Sequence, residues 1–166
     1  PIAAASVAPL PGATPAAPAP QLTATPAGFV SFPVEKLPAH FVPQTPLPAG
    51  LAVTLAGDPA RGRQLFSQGQ GACIGCHTVR GVPTAMGVVG PNLTHVGSRH
   101  TIGAGLFPND AAHLTAWIRN ARAMKPGILM PTLGKGQYDP IAKTTLQAGL
   151  DDQQVADIAA WLLTLK

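Results

Sequence analysis

The run Cys73-Ile74-Gly75-Cys76-His77 constrains this chain more than any other feature, because it contains both cysteines of the 166 residues. A Cys-x-x-Cys-His run is the pattern that attaches haem c. The two thiols lie one turn apart, where each can add to one vinyl group of the same haem. The adjacent histidine is then held under the iron. We therefore predict one covalent haem c, bound through Cys73 and Cys76, with His77 as an iron ligand.

Other uses of a Cys-x-x-Cys pair fit the sequence less well. A zinc site needs a second pair of ligands at metal spacing, and there is no second cysteine pair. A thioredoxin-like redox pair needs a strand–helix–strand context, which the sequence does not show. A disulfide across two intervening residues would be strained. Haem attachment is therefore the favoured interpretation.

Prolines divide the chain into two parts. Residues 1–50 hold 12 of the 19 prolines and only two charged residues, Glu35 and Lys36. Because proline fixes φ and lacks an N–H, we expect an extended Pro/Ala-rich arm over 1–50 and a compact domain over 51–166. Residues 29–48 contain three of the five phenylalanines. Burying each would contribute about 1.5–3 kcal/mol, so we expect the arm to dock on a partner.

Three helix starts are visible in the second part. Asp58-Pro59 combines an N-cap residue with proline at the first helical position. A second helix is expected after Asp110, and a third after Asp151, where Gln154 completes a capping box. No segment alternates long enough to predict a significant sheet. The expected fold is all-α, with three to four short helices around the haem, because so few helices make a poor core unaided.

The sixth iron ligand has several candidates, and the sequence favours one. Met130 lies in a stiff loop between Pro126 and Pro131, which leaves a thioether ligand little entropy to lose. Met86 is only nine residues past His77, which is a short path around the haem. The remaining candidates are expected to be packing, surface or propionate-side residues: Met124, His95, His100 and His113. We therefore predict Met130 as the second iron ligand.

Four segments together resemble class I cytochromes c: CIGCH at 73–77, GPNL at 90–93, KPGILMP at 125–131 and the terminal AAWLLTLK. The stretch from GPNLTHVGSRH to KPGILMP is more specifically similar to the cytochrome c domain of subunit II of caa3-type cytochrome oxidases. That subunit also holds copper through its own Cys, His and Met set. This chain has no further cysteine, so we expect no such copper site. Residues 132–149 are longer than the usual link to the last helix.

The resemblance implies roles for individual residues. The Pro91 carbonyl would accept the Nδ1–H of His77 and so orient the ring. Leu93 would pack on the haem, and Trp117 would hydrogen-bond a propionate, although a bare helix pattern also allows it as a core residue. Arg99 would pair with a propionate or remain a solvated surface arginine.

The resemblance also predicts a contact between the first and last helices. Gly62 and Phe66 are four residues apart on the first helix, and Trp161 would be their partner on the last. Glycine within a helix costs about 1 kcal/mol relative to alanine. A close helix crossing is a sufficient reason for Gly62.

Two axial protein ligands leave no open iron position, so we expect a one-electron carrier and no enzyme. The resemblance implies a subunit of a membrane-bound respiratory or photosynthetic complex. Its redox partners would be an oxidase, a quinol-oxidising complex or a reaction centre. The alternatives are a freely diffusing periplasmic cytochrome c, or a haem enzyme or gas sensor with a labile sixth ligand.

The expected cellular location and the net charge of the chain indicate which kinds of partner it would have. Covalent haem attachment implies a periplasmic or extracytoplasmic site. No apolar stretch approaches the roughly 18 residues of a membrane span, so we expect association through partners or a removed anchor. The net charge of +4 suggests a partner with an acidic patch. Basic residues do not cluster in runs, which argues against nucleic-acid binding.

Overall fold

The computed structural model describes residues 45–166, so the predicted arm lies outside the described residues except for 45–50. The helices are α1 (Pro59–Ser67), α2 (Cys73–Cys76), α3 (Ala111–Met124) and α4 (Asp152–Thr164). Two 3₁₀ turns occupy Gln70–Ala72 and Val96–Ser98. The all-α prediction is confirmed for this part of the chain. None of its helices is both long enough and apolar enough to cross a bilayer.

Helix α1 begins at the predicted Asp-Pro pair. The Asp58 carboxylate accepts hydrogen bonds from the backbone N–H groups of Ala60 and Arg61 at 2.8 and 3.2 Å, and Pro59 is the first helical residue. These bonds satisfy two N–H groups that have no carbonyl partner inside the helix. The helix ends two residues before Gly69. The φ of Gly69 is +79°, a left-handed conformation that glycine adopts without steric strain.

Helix α3 begins at the predicted Asp110, whose side chain accepts from the backbone N–H of His113 at 2.9 Å. The helix ends at Met124, and its C-cap, Lys125, immediately precedes a Pro-Gly pair. Its interior is not regular, because Asn120 has φ −155° and ψ 77°, outside the helical region. The sequence does not predict this interruption.

Helix α4 has the predicted capping box. The Asp151 side chain accepts from the Gln154 N–H at 2.8 Å, and the Gln154 side chain accepts from the Asp151 N–H at 3.0 Å. Leu150 and Val155, placed for a hydrophobic staple, are both buried. These contacts fix the direction in which the chain enters the helix.

Helices α1 and α4 cross in direct contact. The rings of Phe66 and Trp161 lie 4.9 Å apart between centroids. Arg61 extends this contact with two hydrogen bonds to the Asp157 carboxylate, from Nε at 2.8 Å and from Nη2 at 3.0 Å. Gly62 is buried at the crossing itself. The predicted contact between the first and last helices is therefore present.

Strands are few and short in the described part. They form two antiparallel pairs: β1 (Thr101–Ile102) with β2 (Phe107–Pro108), and β3 (Tyr138–Asp139) with β4 (Thr144–Thr145). Two-residue strands cannot display alternation, which is why the sequence did not predict them. The second pair lies within the 132–149 stretch and makes a hairpin of it.

Candidate haem-binding site

The two cysteines lie on a single helical turn. Helix α2 consists of Cys73–Cys76, and the backbone N–H of His77 donates to the Cys73 carbonyl at 2.9 Å. The turn is reached through Gly71 and Ala72, which have φ of +70° and +56°. Alanine in this left-handed region is strained, a common feature of functional loops. Both thiols are free and half-buried.

A cavity of about 450 Å³ opens beside this turn. Its volume lies within the range of small-molecule and cofactor sites, roughly 300–1,000 Å³. Most of the lining is apolar. The lining residues are Gly71, Ala72, Cys73, Cys76, His77, Val89, Gly90, Pro91, Trp117, Gly127, Ile128, Leu129, Met130, Pro131 and Leu133. The cavity reaches the surface, since Val89 and Leu129 are 67% and 80% exposed.

A hydrogen bond to a backbone carbonyl orients the imidazole ring of His77. Its Nδ1 lies 2.8 Å from the Pro91 carbonyl oxygen, which can only accept, so Nδ1 carries the proton. The other nitrogen, Nε2, is then the one available to a metal ion. A Cβ on Gly90 would lie 2.4 Å from the imidazole Cε1 atom. Glycine at that position therefore leaves room for the ring.

The loop between α3 and residue 132 brings Met130 to the same cavity. All three methionines of the chain are described, and Met130 is the one among the lining residues. Met86 is 77% exposed, and Met124 is 8% exposed within the apolar core. The positions of these two side chains agree with the preference for Met130. Iron ligation by Met130 itself stays a prediction.

Two of the predicted non-ligand histidines have polar partners elsewhere. His95 Nδ1 lies 2.9 Å from the Lys166 carbonyl oxygen, and His113 Nδ1 lies 2.8 Å from an Asp110 carboxylate oxygen. His100 is half-buried. None of the three lines the cavity.

Of the three remaining predicted site residues, the structure places one in the cavity lining and two outside it. Trp117 lines the cavity, and its ring lies 6.2 Å from that of Phe107. Leu93 packs against the core and is not a lining residue. Arg99 is exposed, and its Nη2 donates to the Asn92 carbonyl at 2.5 Å. Contacts of these three residues with haem stay predictions.

Sequence reasoning missed part of the cavity lining. Val89 stands directly before the GPNL run, and Leu133 directly follows the Met130 loop and one threonine. Their nearness along the chain to the motif residues was the available signal, but an apolar residue near a motif does not show which way it faces.

The lining fits haem c. The cavity combines two thiols one turn apart, an oriented imidazole and a thioether with mostly apolar surroundings. Burial raises the pKa of the Cys73 thiol to about 11, as expected for a thiol facing an apolar space. Among residues 45–166, no group of three or more His, Cys, Asp or Glu side chains could hold a metal ion directly. The two thiols, the imidazole, the thioether and the apolar lining of the cavity are suited to a porphyrin.

A family model, a curated protein and a solved structure are each similar to part of this chain. The family model described as Cytochrome c matches residues 59–166. Cytochrome c oxidase subunit 2 of Alkalihalophilus pseudofirmus is 44% identical over 71 residues, which make up 43% of this chain but only 19% of that protein. The crystal structure of SoxXA from P. pantotrophus is similar with a TM-score of 0.48 and 26% identity, over 68% of this chain and 85% of that one.

Proposed function

The chain belongs to the cytochrome c family, and from this premise we propose that it carries electrons as a subunit of a membrane-bound respiratory or photosynthetic complex. The family model covers most of the chain. Membership makes the protein an electron carrier and confirms the predicted fold and cofactor. Cys73 and Cys76 are the pair through which this family binds haem c covalently.

One observation carries the proposed ligation: the Cys-x-x-Cys-His turn and Met130 line the same cavity. Haem iron supplies a centre that takes up and releases one electron at a time. His77 Nε2 and the Met130 sulfur would hold it. If His77 and Met130 both held the iron, they would leave no position on it for a substrate, which supports a carrier and not an enzyme.

The chain's own residues keep this site ready for transfer. The Pro91 carbonyl holds the His77 ring in one orientation, so a ligand need not reorient when the charge at the site changes. The apolar lining limits the entry of water. Val89 and Leu129 lie at the exposed edge of the cavity, which supports electron transfer at the surface to a docked protein.

Association with a complex is supported by the similarity to cytochrome c oxidase subunit 2. The proposed partners are membrane redox proteins: an oxidase, a quinol-oxidising complex or a reaction centre. We place the domain on the periplasmic or extracytoplasmic side, where haem c is attached. The Pro-rich segment at the N-terminus would serve as the docking strap.

The net charge of +4 already subtracts the acidic residues, so ion pairs within the chain leave it unchanged and decide only which basic residues present it. Three arginines are paired with carboxylates of the same chain: Arg61 with Asp157 at 2.8 Å, Arg119 with Asp152 at 3.3 Å and Arg122 with Asp139 at 2.7 Å. Paired charges contribute little to the long-range field. An acidic patch on the partner would therefore meet the remaining basic residues.

Absorption spectroscopy of the ferric, haem-loaded protein tests the carrier function. We expect the weak red charge-transfer band that a thioether sulfur gives on ferric iron, together with slow binding of cyanide at neutral pH. Rapid cyanide binding and an absent band would contradict His/Met ligation. That result would support the haem enzyme or gas sensor.

Deletion of residues 1–44 tests membership of a complex. The cut is placed there because Leu47 packs against the core, and the Arg119 side chain donates to the Gly50 carbonyl at 3.3 Å. We expect the shortened protein to keep its spectrum but to separate from membranes during purification, while the full chain co-purifies with its partners. Unchanged co-purification would contradict the docking strap. A full chain that never co-purifies would support a freely diffusing carrier.

A further inference from the structure

A buried carboxylate makes one of the contacts that fasten the 132–149 hairpin to helix α3. Asp139 is 4% exposed. Its Oδ1 accepts from the backbone N–H groups of Ile141 and Ala142 at 2.8 and 2.9 Å, which closes the hairpin turn. Its Oδ2 accepts from Nη1 of Arg122 at 2.7 Å. The hairpin and the helix are thus joined by a charge-assisted hydrogen bond.

Arg122 extends this connection to the Met130 loop. Its side chain is 15% exposed. While Nη1 binds Asp139, Nη2 donates to the Leu129 carbonyl at 3.4 Å. Leu129 immediately precedes Met130 in the chain. The planar guanidinium therefore links the hairpin carboxylate to the backbone beside the predicted iron ligand.

Asn120 fastens the far end of the same loop. Its Oδ1 accepts from the Ala123 N–H at 3.1 Å and from the Thr132 hydroxyl at 3.2 Å. Its Nδ2 donates to the Tyr138 carbonyl at 3.0 Å. The irregular backbone of α3 at Asn120 lies where the side chain makes all three bonds. These three bonds hold the interruption of the helix at Asn120 in place.

We propose that Asn120, Arg122 and Asp139, which we name the α3 clamp, are positioning residues that hold the Met130 sulfur toward the haem cavity. The proposal rests on Met130 as the proposed iron ligand. A neutral thioether is a weak ligand, so its retention depends on a loop that is already in place. The clamp fastens this loop at Leu129 and Thr132, on either side of Met130. The additional residues of the hairpin thereby acquire a role at the haem.

The affinity of the ferric, haem-loaded full chain for imidazole tests the clamp. Imidazole binds only when the thioether is off the iron, so its apparent affinity follows the fraction of protein with a released loop. We expect Asp139→Asn and Arg122→Lys to raise that affinity about tenfold. Amide hydrogen exchange over residues 126–134 should accelerate in the same two variants.

Asp157→Asn is the matched control. It breaks another Arg–Asp pair whose carboxylate is equally buried, with side-chain exposures of 3% for Asp157 and 6% for Asp139. That pair joins α1 to α4 and does not touch the loop. We expect the control to lower global stability but to change imidazole affinity by less than about twofold.

The outcomes separate this proposal from the one on which it rests. A wild-type ferric protein without the thioether band would overturn Met130 ligation and the clamp together. A wild-type band combined with clamp variants that bind imidazole like the control would overturn the clamp alone. Should Asp139→Asn fail to fold, Arg122→Lys decides, because it keeps the positive charge but cannot hold both partners.

Discussion

A Cβ atom on Gly62 would lie 1.9 Å from the backbone carbonyl oxygen of Asp157. Helices α1 and α4 therefore meet backbone to backbone, and no side chain fits between them. The obstructing atom belongs to a helix and cannot rotate away. The crossing brings Phe66 against Trp161 and completes one wall of the core.

Gly62→Ala should consequently destabilise the protein although alanine favours helix. The two helices must separate, and overpacking of this kind costs about 1–3 kcal/mol. Denaturant unfolding of the haem-loaded protein measures the effect. Gln64→Ala is the control, since Gln64 is exposed on the same helix, where an alanine obstructs nothing. Equal unfolding midpoints for the two variants would contradict the close crossing.

Acid should weaken the α1–α4 contact in a defined pH window. The hydrogen bond from Arg61, followed by those from the Asp58 N–H and Gln153, lowers the pKa of Asp157 from 3.8 to about 2 against the opposing effect of burial. Because the folded pKa lies below the unfolded one, the stabilisation is present above about pH 4. It is lost as pH falls toward 2.

Asp157→Asn should flatten the slope of stability against pH over that window. Unfolding free energies from pH 5 to pH 2 measure it. Part of the slope should remain, because the pKa of Asp139 is also lowered to about 2, mainly by the Ala142 N–H. If the unfolding free energy of the variant depended on pH as steeply as that of the wild type, Asp157 would not be a source of this pH dependence.

Met130→Ala should abolish the ferric thioether band and raise the affinity for imidazole at least about tenfold, because no protein ligand then competes. Visible absorption titrations measure both. Met86→Leu is the control, since Met86 is 77% exposed and lies outside the cavity lining. Loss of the band in the control and not in Met130→Ala would reverse the ligand assignment.

Gly90→Ala should disturb the proximal histidine. Its new Cβ would lie 2.4 Å from the Cε1 atom of His77, so the ring must tilt away from the Pro91 carbonyl. We expect a ferric spectrum with a raised high-spin fraction and reduced haem attachment. Pro91→Ala should be much milder, because the acceptor is a backbone carbonyl that alanine retains. Similar spectra for both variants would contradict the steric explanation.

Local chemistry made much of this protein predictable. The carboxylates of Asp58, Asp110 and Asp151 start helices wherever they precede a suitable first turn, and the structure has all three caps. The Cys-x-x-Cys-His run predicts its cofactor because the chemistry needs only five consecutive residues. Such patterns depend on residues within one or two helical turns, so they can be interpreted without knowledge of the fold.

Contacts between distant segments were not predictable in the same way. Nothing near Arg122 in the chain indicates that it would meet Asp139 of the hairpin and the carbonyl beside Met130. The irregular turn at Asn120 arises from partners that follow it by up to 18 residues. The sequence by itself determined the helix ends and the haem motif, because these depend on neighbours along the chain. Only the tertiary structure decided which further side chains line the cavity and which hold the Met130 loop, because packing sets that, and packing joins residues without regard to their order.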